Sequence, residues 1–171
     1  MSTLRDDRLA HLLDRQAVVD RLVSCCRALD RLDWSLLRDC YHLDAVYDDG
    51  AGFHGSVIDF LGFIGPRLTT QLEATMHTLA NVHVVLRGDR ATTESQVIGW
   101  HRRSVPDGSG SSFEARARYL DSLERREDGV WRISRRSVVW ESTGREAAEE
   151  ADKAIRRGRR DNEDLSYQVG L

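Results

Sequence analysis

The stretch HTLANVHVVLRGDRATTESQVIGWHRR, residues 77–103, decides the fold. Two runs rich in β-branched and aromatic residues, 77–87 and 91–104, flank Gly88-Asp89-Arg90. That composition folds one strand back on the next. The pattern repeats downstream, where runs 113–126 and 130–141 are set off by Pro106-Asp107-Gly108-Ser109-Gly110 and by Asp128-Gly129. Four long runs joined by turns describe an antiparallel meander.

Upstream the periodicity is helical. Residues 6–30 place Leu9, Leu12, Val19, Leu22, Val23, Cys26 and Leu29 on one stripe, with Arg15, Asp20, Arg21 and Arg27 off it. Asp33 is positioned to cap a second, short helix through Trp34, Leu36, Leu37 and Cys40. Ala45-Val46-Tyr47 then reads as a short strand ended by Asp48-Asp49-Gly50, and residues 56–72 as a helix broken near Gly65-Pro66. Helices first and hairpins after predict an α+β domain with its helices on one face of the sheet. From Arg145 the chain is rich in Ala, Glu, Lys and Arg and reads as a solvated helix with a loose end. Its IRRGRR cluster at 155–160 has acidic neighbours, so a solvated face is expected. The expected organisation is one domain over 1–144 and a charged helix and tail over 145–171.

With 171 residues and a formal net charge of −3, the chain suits one domain and has no overall basic field to attract nucleic acid or an acidic membrane. No apolar run approaches the roughly 20 residues needed to span a bilayer, and the opening MSTLRDDRLAHLLDRQ has no apolar signal core. A cytoplasmic protein is the expectation. The three cysteines, Cys25, Cys26 and Cys40, are expected to be reduced core thiols.

Several polar residues depart from this plain pattern. Asp30 follows Cys26 by four residues and Val23 by seven, which sets a carboxylate at the end of the apolar stripe. There it must be paired or hydrogen-bonded, as in a cap between the helices, because a lone buried charge is costly. In the meander, a three-residue loop at Gly88-Asp89-Arg90 pairs Arg87 with Ala91 and sets His77 opposite His101. A turn about Ser109 sets His101 opposite Ala117. A two-residue turn at Asp128-Gly129 sets Tyr119 opposite Val138 and Asp121 opposite Arg136. One face of the sheet then carries His77, His101, Tyr119, Arg136 and Trp140. A slip of one residue at any turn would scatter them.

The segments CRALDRLDWSLLRDCYHLDAVYDDG (26–50), MHTLANVHV (76–84) and LERREDGVWRISRRSVVW (123–140) resemble SnoaL-like proteins of the nuclear transport factor 2-like superfamily. The resemblance implies a cone-shaped α+β barrel, its N-terminal helices packed on a curved, mainly antiparallel sheet around a pocket. Enzymes of this family that eliminate water or hydrogen halide use an Asp–His dyad, matched here by Asp30 and His77. The resemblance also points to Arg136, five residues after Trp131, as a catalytic cation, and to Tyr47 as a pocket aromatic. Some family dehydratases carry a tyrosine five residues before the aspartate, where this chain has Cys25. Cys25, Tyr47, His101, Tyr119 and Trp140 are thus the expected substrate-binding set.

The implied chemistry is cofactor-independent and metal-free. His77 takes a proton from carbon, Asp30 steadies the imidazolium, and Arg136 stabilises developing negative charge. Loss of water or halide from a small hydrophobic cyclic substrate makes a lyase; returning the proton elsewhere makes an isomerase. A small-molecule binding protein and the small subunit of a ring-hydroxylating dioxygenase are alternatives on the same fold. The resemblance also implies a homo-oligomer, trimer or dimer.

Overall fold

The computed structural model describes residues 2–103, 111–147, 161 and 163. Helix α1 (Ser2–Arg31) leads into α2 (Trp34–Asp39), strand β1 (Tyr41–Asp48), a short strand β2 (His54–Ser56) and helix α3 (Val57–Thr70). Four long strands follow: β3 (Leu72–Arg87), β4 (Arg90–Arg103), β5 (Ser111–Arg125) and β6 (Trp131–Ala147). They form one curved, open six-stranded sheet in the order β2-β1-β6-β5-β4-β3. All neighbours are antiparallel except β1 and β6, which run parallel. No described helix is long and apolar enough to cross a membrane.

The meander forms because its strands alternate. Along β4, Ala91, Thr93, Ser95, Val97 and Gly99 are buried and the residues between them are exposed, a period of two that fixes which face meets the helices. Helix α1 lies on that face and buries Val18, Leu22, Cys25 and Leu29. This stripe is turned by about one residue from the expected one. Leu9, Leu12 and Val23 are exposed. Arg15 and Arg21, expected to face solvent, instead donate to the carbonyls of Val84 and Trp131 at the sheet. Long cationic side chains can do this from a helix flank, with the stem packed and the head bonded.

Leu32 ends α1 with φ at +55°, and Asp33 caps α2 as expected, accepting from the Leu36 N–H at 2.9 Å. Helix α3 differs from the broken helix expected, because it runs unbroken through Pro66. The Thr69 hydroxyl donates to the Gly65 carbonyl and the Thr70 hydroxyl to that of Pro66, which bonds backbone groups around the proline. Ser56 caps its start and takes up the Asp59 N–H.

The turns differ from expectation, but the faces survive. Arg87 pairs with Arg90 across a two-residue turn, one residue off the expected register. A bulge between Ala80 and His83, with Asn81 at φ +50°, moves the register by one residue more and so restores its parity. His77 therefore pairs with Gly99, and His101 with Thr75, so both histidines share a face. His101 pairs with Phe113 instead of Ala117, an even shift that again preserves the face. The last turn is a five-residue loop over 126–130, and a bulge between Ser122 and Leu123 restores the expected Tyr119–Val138 and Asp121–Arg136 pairs. Strand β6 continues to Ala147, so residues 145–147 are strand and not the start of a helix. The remainder of the expected tail, including the basic cluster and with residues 161 and 163 as exceptions, lies outside the described residues.

Candidate active site

A cavity of about 630 Å³ opens between the concave face of the sheet and the helices. It exists because the sheet is lined there by small residues. Gly99 faces Ala115 across the β4–β5 ladder, and Val97 faces Ala117. The opposite wall is aromatic. Tyr47 of β1 stacks on Phe60 of α3 with centroids 3.5 Å apart, and Phe53 lies edge-on to Phe60.

His77 lines the cavity, and Asp30 stands behind it. The Asp30 carboxylate is buried and accepts three hydrogen bonds. They come from Thr75 Oγ1 at 3.0 Å, the His77 backbone N–H at 2.8 Å and His77 Nδ1 at 2.6 Å. An aspartate in the last turn of a helix opposes the helix dipole. Here the three donors from β3 offset that cost and hold the carboxylate in one orientation. An ionised carboxylate only accepts, so Nδ1 carries the proton, and in the neutral ring Nε2 keeps its lone pair. That is the arrangement of a base oriented by an acid.

His101 is the second imidazole of the cavity. Its ring lies edge-on to His77 at 5.4 Å and stacks on Phe113 at 4.4 Å, with 5° between the planes. Burial, reinforced by His77, lowers its pKa to about 4. The ring is therefore neutral near pH 7. Its Nδ1 has no hydrogen-bond partner among the described residues. Gly99 makes the pairing of imidazoles possible, since a Cβ there would come within 2.8 Å of His101 Cε1 and 3.4 Å of His77 Cδ2.

Tyr119 and Trp140 also line the cavity, as expected; Trp140 donates from Nε1 to the Asp49 carbonyl. Burial pushes the Tyr47 and Tyr119 phenols above their ordinary range, so both stay protonated. Two expected pocket residues do not line the cavity. Arg136 is 1% exposed and bound through Nε and Nη2 to the two oxygens of Asp121, at 2.7 and 2.9 Å. Its remaining terminal nitrogen points at Cys25 Sγ, 3.4 Å away, and its Cζ lies 4.1 Å from the Tyr119 ring centre. The Asp121 carboxylate, facing it across the β5–β6 ladder, is what draws it under the surface. Cys25 is fully buried in the same cluster, against the Tyr41 hydroxyl. A hydrogen bond with Cys40, helped by Arg136, draws the Cys25 thiol down to about 6 despite burial.

Thr75 and Gly99 escaped the sequence reading. Thr75 lies two residues before His77 on the same face, but the strand was expected to begin only at 77. Gly99 had a usable signal, because glycine inside a strand marks a close approach.

Helices on an open curved sheet, a cavity between them with an aromatic wall, and an acid–histidine pair define a pocket protein of the α+β cone class. Residues 10–137 match the model of the SnoaL-like domain, and the chain belongs to that family, within the nuclear transport factor 2-like superfamily. Among solved structures it is similar to a type 2 hexachlorocyclohexane dehydrochlorinase, at 20% identity and a TM-score of 0.76, covering 86% of this chain and 99% of that one. It is also similar to a putative scytalone dehydratase from Novosphingobium aromaticivorans, at 19% identity and a TM-score of 0.70, covering 86% and 97%. A putative aromatic ring hydroxylase from the same genus aligns at 23% identity and a TM-score of 0.69, over 79% and 94%. No curated protein matches the sequence significantly.

Proposed function

We propose that the chain is a cofactor-independent lyase that removes a proton from carbon and expels water or halide from a small hydrophobic cyclic substrate. The observation that carries this reading is the 2.6 Å bond from His77 Nδ1 to a carboxylate held by two further donors, with the imidazole opening on an apolar cavity. Nε2 of His77 takes the proton, and the Asp30 charge stabilises the imidazolium as it forms. Neutral His101 and the protonated Tyr47 and Tyr119 serve as hydrogen-bonding groups for the oxygen or halide that gathers charge. Arg136 acts on the site through Tyr119, as a positioning residue, because it is buried and each of its three nitrogens is turned to Asp121 or Cys25.

Carbon–hydrogen exchange tests the proton step without knowledge of the natural substrate. Cyclic ketones and halides are incubated with the protein in D₂O and followed by proton NMR. His77→Gln and Asp30→Asn are expected to slow exchange or elimination by about 10²- to 10⁴-fold. Rates unchanged in both variants would rule the dyad out. An isomerase is the second reading. His101 favours it, since a neutral imidazole edge-on to the base gives the proton another way back to the substrate. Retention of deuterium at a new carbon, with no leaving group released, distinguishes it.

The outer face of the sheet exposes Met76 and Ile98, which supports the expected homo-oligomer; sedimentation velocity gives its order.

A further inference from the structure

The cavity is not uniformly apolar. Arg67, in the last turn of α3, and Arg103, at the end of β4, line it at one end. The two belong to the same end because Leu72 pairs with Arg103 in the ladder, while the Gln71 N–H bonds the Arg67 carbonyl. Each guanidinium lies on a ring of the cavity wall. Arg67 Cζ is 3.9 Å from the Phe63 centre, and Arg103 Cζ is 5.5 Å from that of Phe113.

Neither cation has a carboxylate partner among the described residues, although neighbouring strands show the opposite habit. Arg102 pairs with Glu73, Arg116 with Glu114, and Arg118 with Glu141. The acid that lines the cavity, Asp49, accepts from the Ala51 and Phe53 N–H groups at 2.7 and 2.8 Å. Two guanidiniums thus line one end of the pocket with no carboxylate against them among the described residues. From Arg103 a row of rings, Phe113, His101 and His77, leads to the dyad.

We propose that the cavity takes an amphipathic carboxylate: a hydrophobic ring body lying over Gly99, Ala115 and Ala117, with its carboxylate held at the mouth by Arg67 and Arg103. Guanidinium matches the planar carboxylate with paired N–H donors, and the phenyl faces beneath keep the cations from collapsing onto the backbone. Fixing the anion at the mouth sets which ring carbon meets His77 Nε2. Calling this molecule a substrate rests on the lyase reading; its binding does not.

The probes are 2-naphthoate and 2-naphthamide, which share a ring body and differ in charge, titrated calorimetrically into the full chain. Naphthoate is expected to bind about five- to tenfold more tightly than the amide, the sum of two partly exposed ion pairs, with the margin shrinking as salt is raised. Arg67→Gln/Arg103→Gln is expected to erase the margin and leave the amide within twofold. Both side chains are exposed, and Arg67→Lys/Arg103→Lys, expected to keep part of the preference, guards against a folding artefact. Equal binding of the two probes, a preference that survives the glutamine pair, or no naphthoate binding at millimolar concentration overturns the proposal. The same titration in Asp30→Asn is expected to keep the anion preference, so failure of the dyad and failure of the anion site are read apart.

Discussion

Replacing Asp121 by leucine tests the assignment of Arg136. The pair is fully buried and doubly bonded, so removing the acid strands a guanidinium that water cannot reach. Breaking a buried ion pair from one side costs about 3–5 kcal/mol. For a chain of this length, about 2–4 °C of melting temperature goes with each kcal/mol, so Asp121→Leu is expected to lose roughly 6–20 °C. The double variant Asp121→Leu/Arg136→Met buries no charge and should recover most of that loss. Cys25 adds a pH signature. Its thiol is drawn down to about 6, so above that value it supplies a second anion to Arg136 and below it does not. The cost of Asp121→Leu relative to the parent chain should therefore be larger at pH 5 than at pH 8. Urea unfolding followed by tryptophan fluorescence at both values reads each number. A single variant that loses under about 1 kcal/mol, or a double variant no more stable than the worse single, would mean the guanidinium is not held as described and is free to reach the cavity. Turnover closes the question. A cation that itself stabilised the leaving anion would cost about 10²- to 10³-fold on removal, whereas the double variant is expected to stay within tenfold of the parent.

Other consequences concern the imidazole pair and the cavity floor. His101 has its pKa lowered to about 4 in the fold, against about 6.5 when unfolded. The unfolded chain therefore binds the extra proton first. Stability from this group is complete above pH 6.5 and falls by about 2–3 kcal/mol as the pH drops to 4; urea midpoints of His101→Phe should show a flatter acid limb. Gly99→Ala puts a methyl 2.8 Å from a ring pinned against Phe113, and is expected to cost about 1–2 kcal/mol in thermal unfolding and to shift both imidazole resonances. Ala117→Leu grows into the cavity, so it should hold stability within about 1 kcal/mol while abolishing naphthoate binding by calorimetry. Thr75→Val removes one of three donors to Asp30 and should cost about 1–2 kcal/mol by urea unfolding, with a smaller rate loss than Asp30→Asn.

Which face each strand residue occupies was legible before the exact pairing was. The alternation of β4 ties Thr93, Ser95 and Val97 to the interior whatever the turn does. The slip at Gly88-Asp89 was absorbed by the bulge at Asn81, and the longer loop at 126–130 by the bulge after Ser122. Neither bulge announces itself, because each is set by long-range burial and not by local composition. The dyad was legible for the same reason: His77 is fixed by strand parity and Asp30 by its place at the end of a helix. The α1 stripe was less so, since Val18, Leu22 and Cys25 run beside a second apolar row through Val19, Val23 and Cys26. Only the sheet's position selects between them. Arg67 and Arg103 were invisible, because nothing in their neighbourhood distinguishes an arginine without a carboxylate partner among the described residues from the many that have one.

That last difference bears on how the site is built. The interior holds two charged systems with opposite fates. Asp121 and Arg136 are bonded to each other under Tyr119, with Cys25 at the third nitrogen of the guanidinium. Asp30 is bonded by two neutral donors, the Thr75 hydroxyl and the His77 N–H, and by the His77 imidazole. A carboxylate arranged this way is stabilised in the resting state without being neutralised, and it gains a full countercharge only when His77 takes up a proton. Exchanging the two arrangements would abolish that difference: an arginine beside Asp30 would satisfy it beforehand and leave nothing to be gained on proton transfer. Keeping the strongest cation of the core paired with Asp121, away from the dyad, is thus consistent with a site in which the charge on His77 changes during turnover.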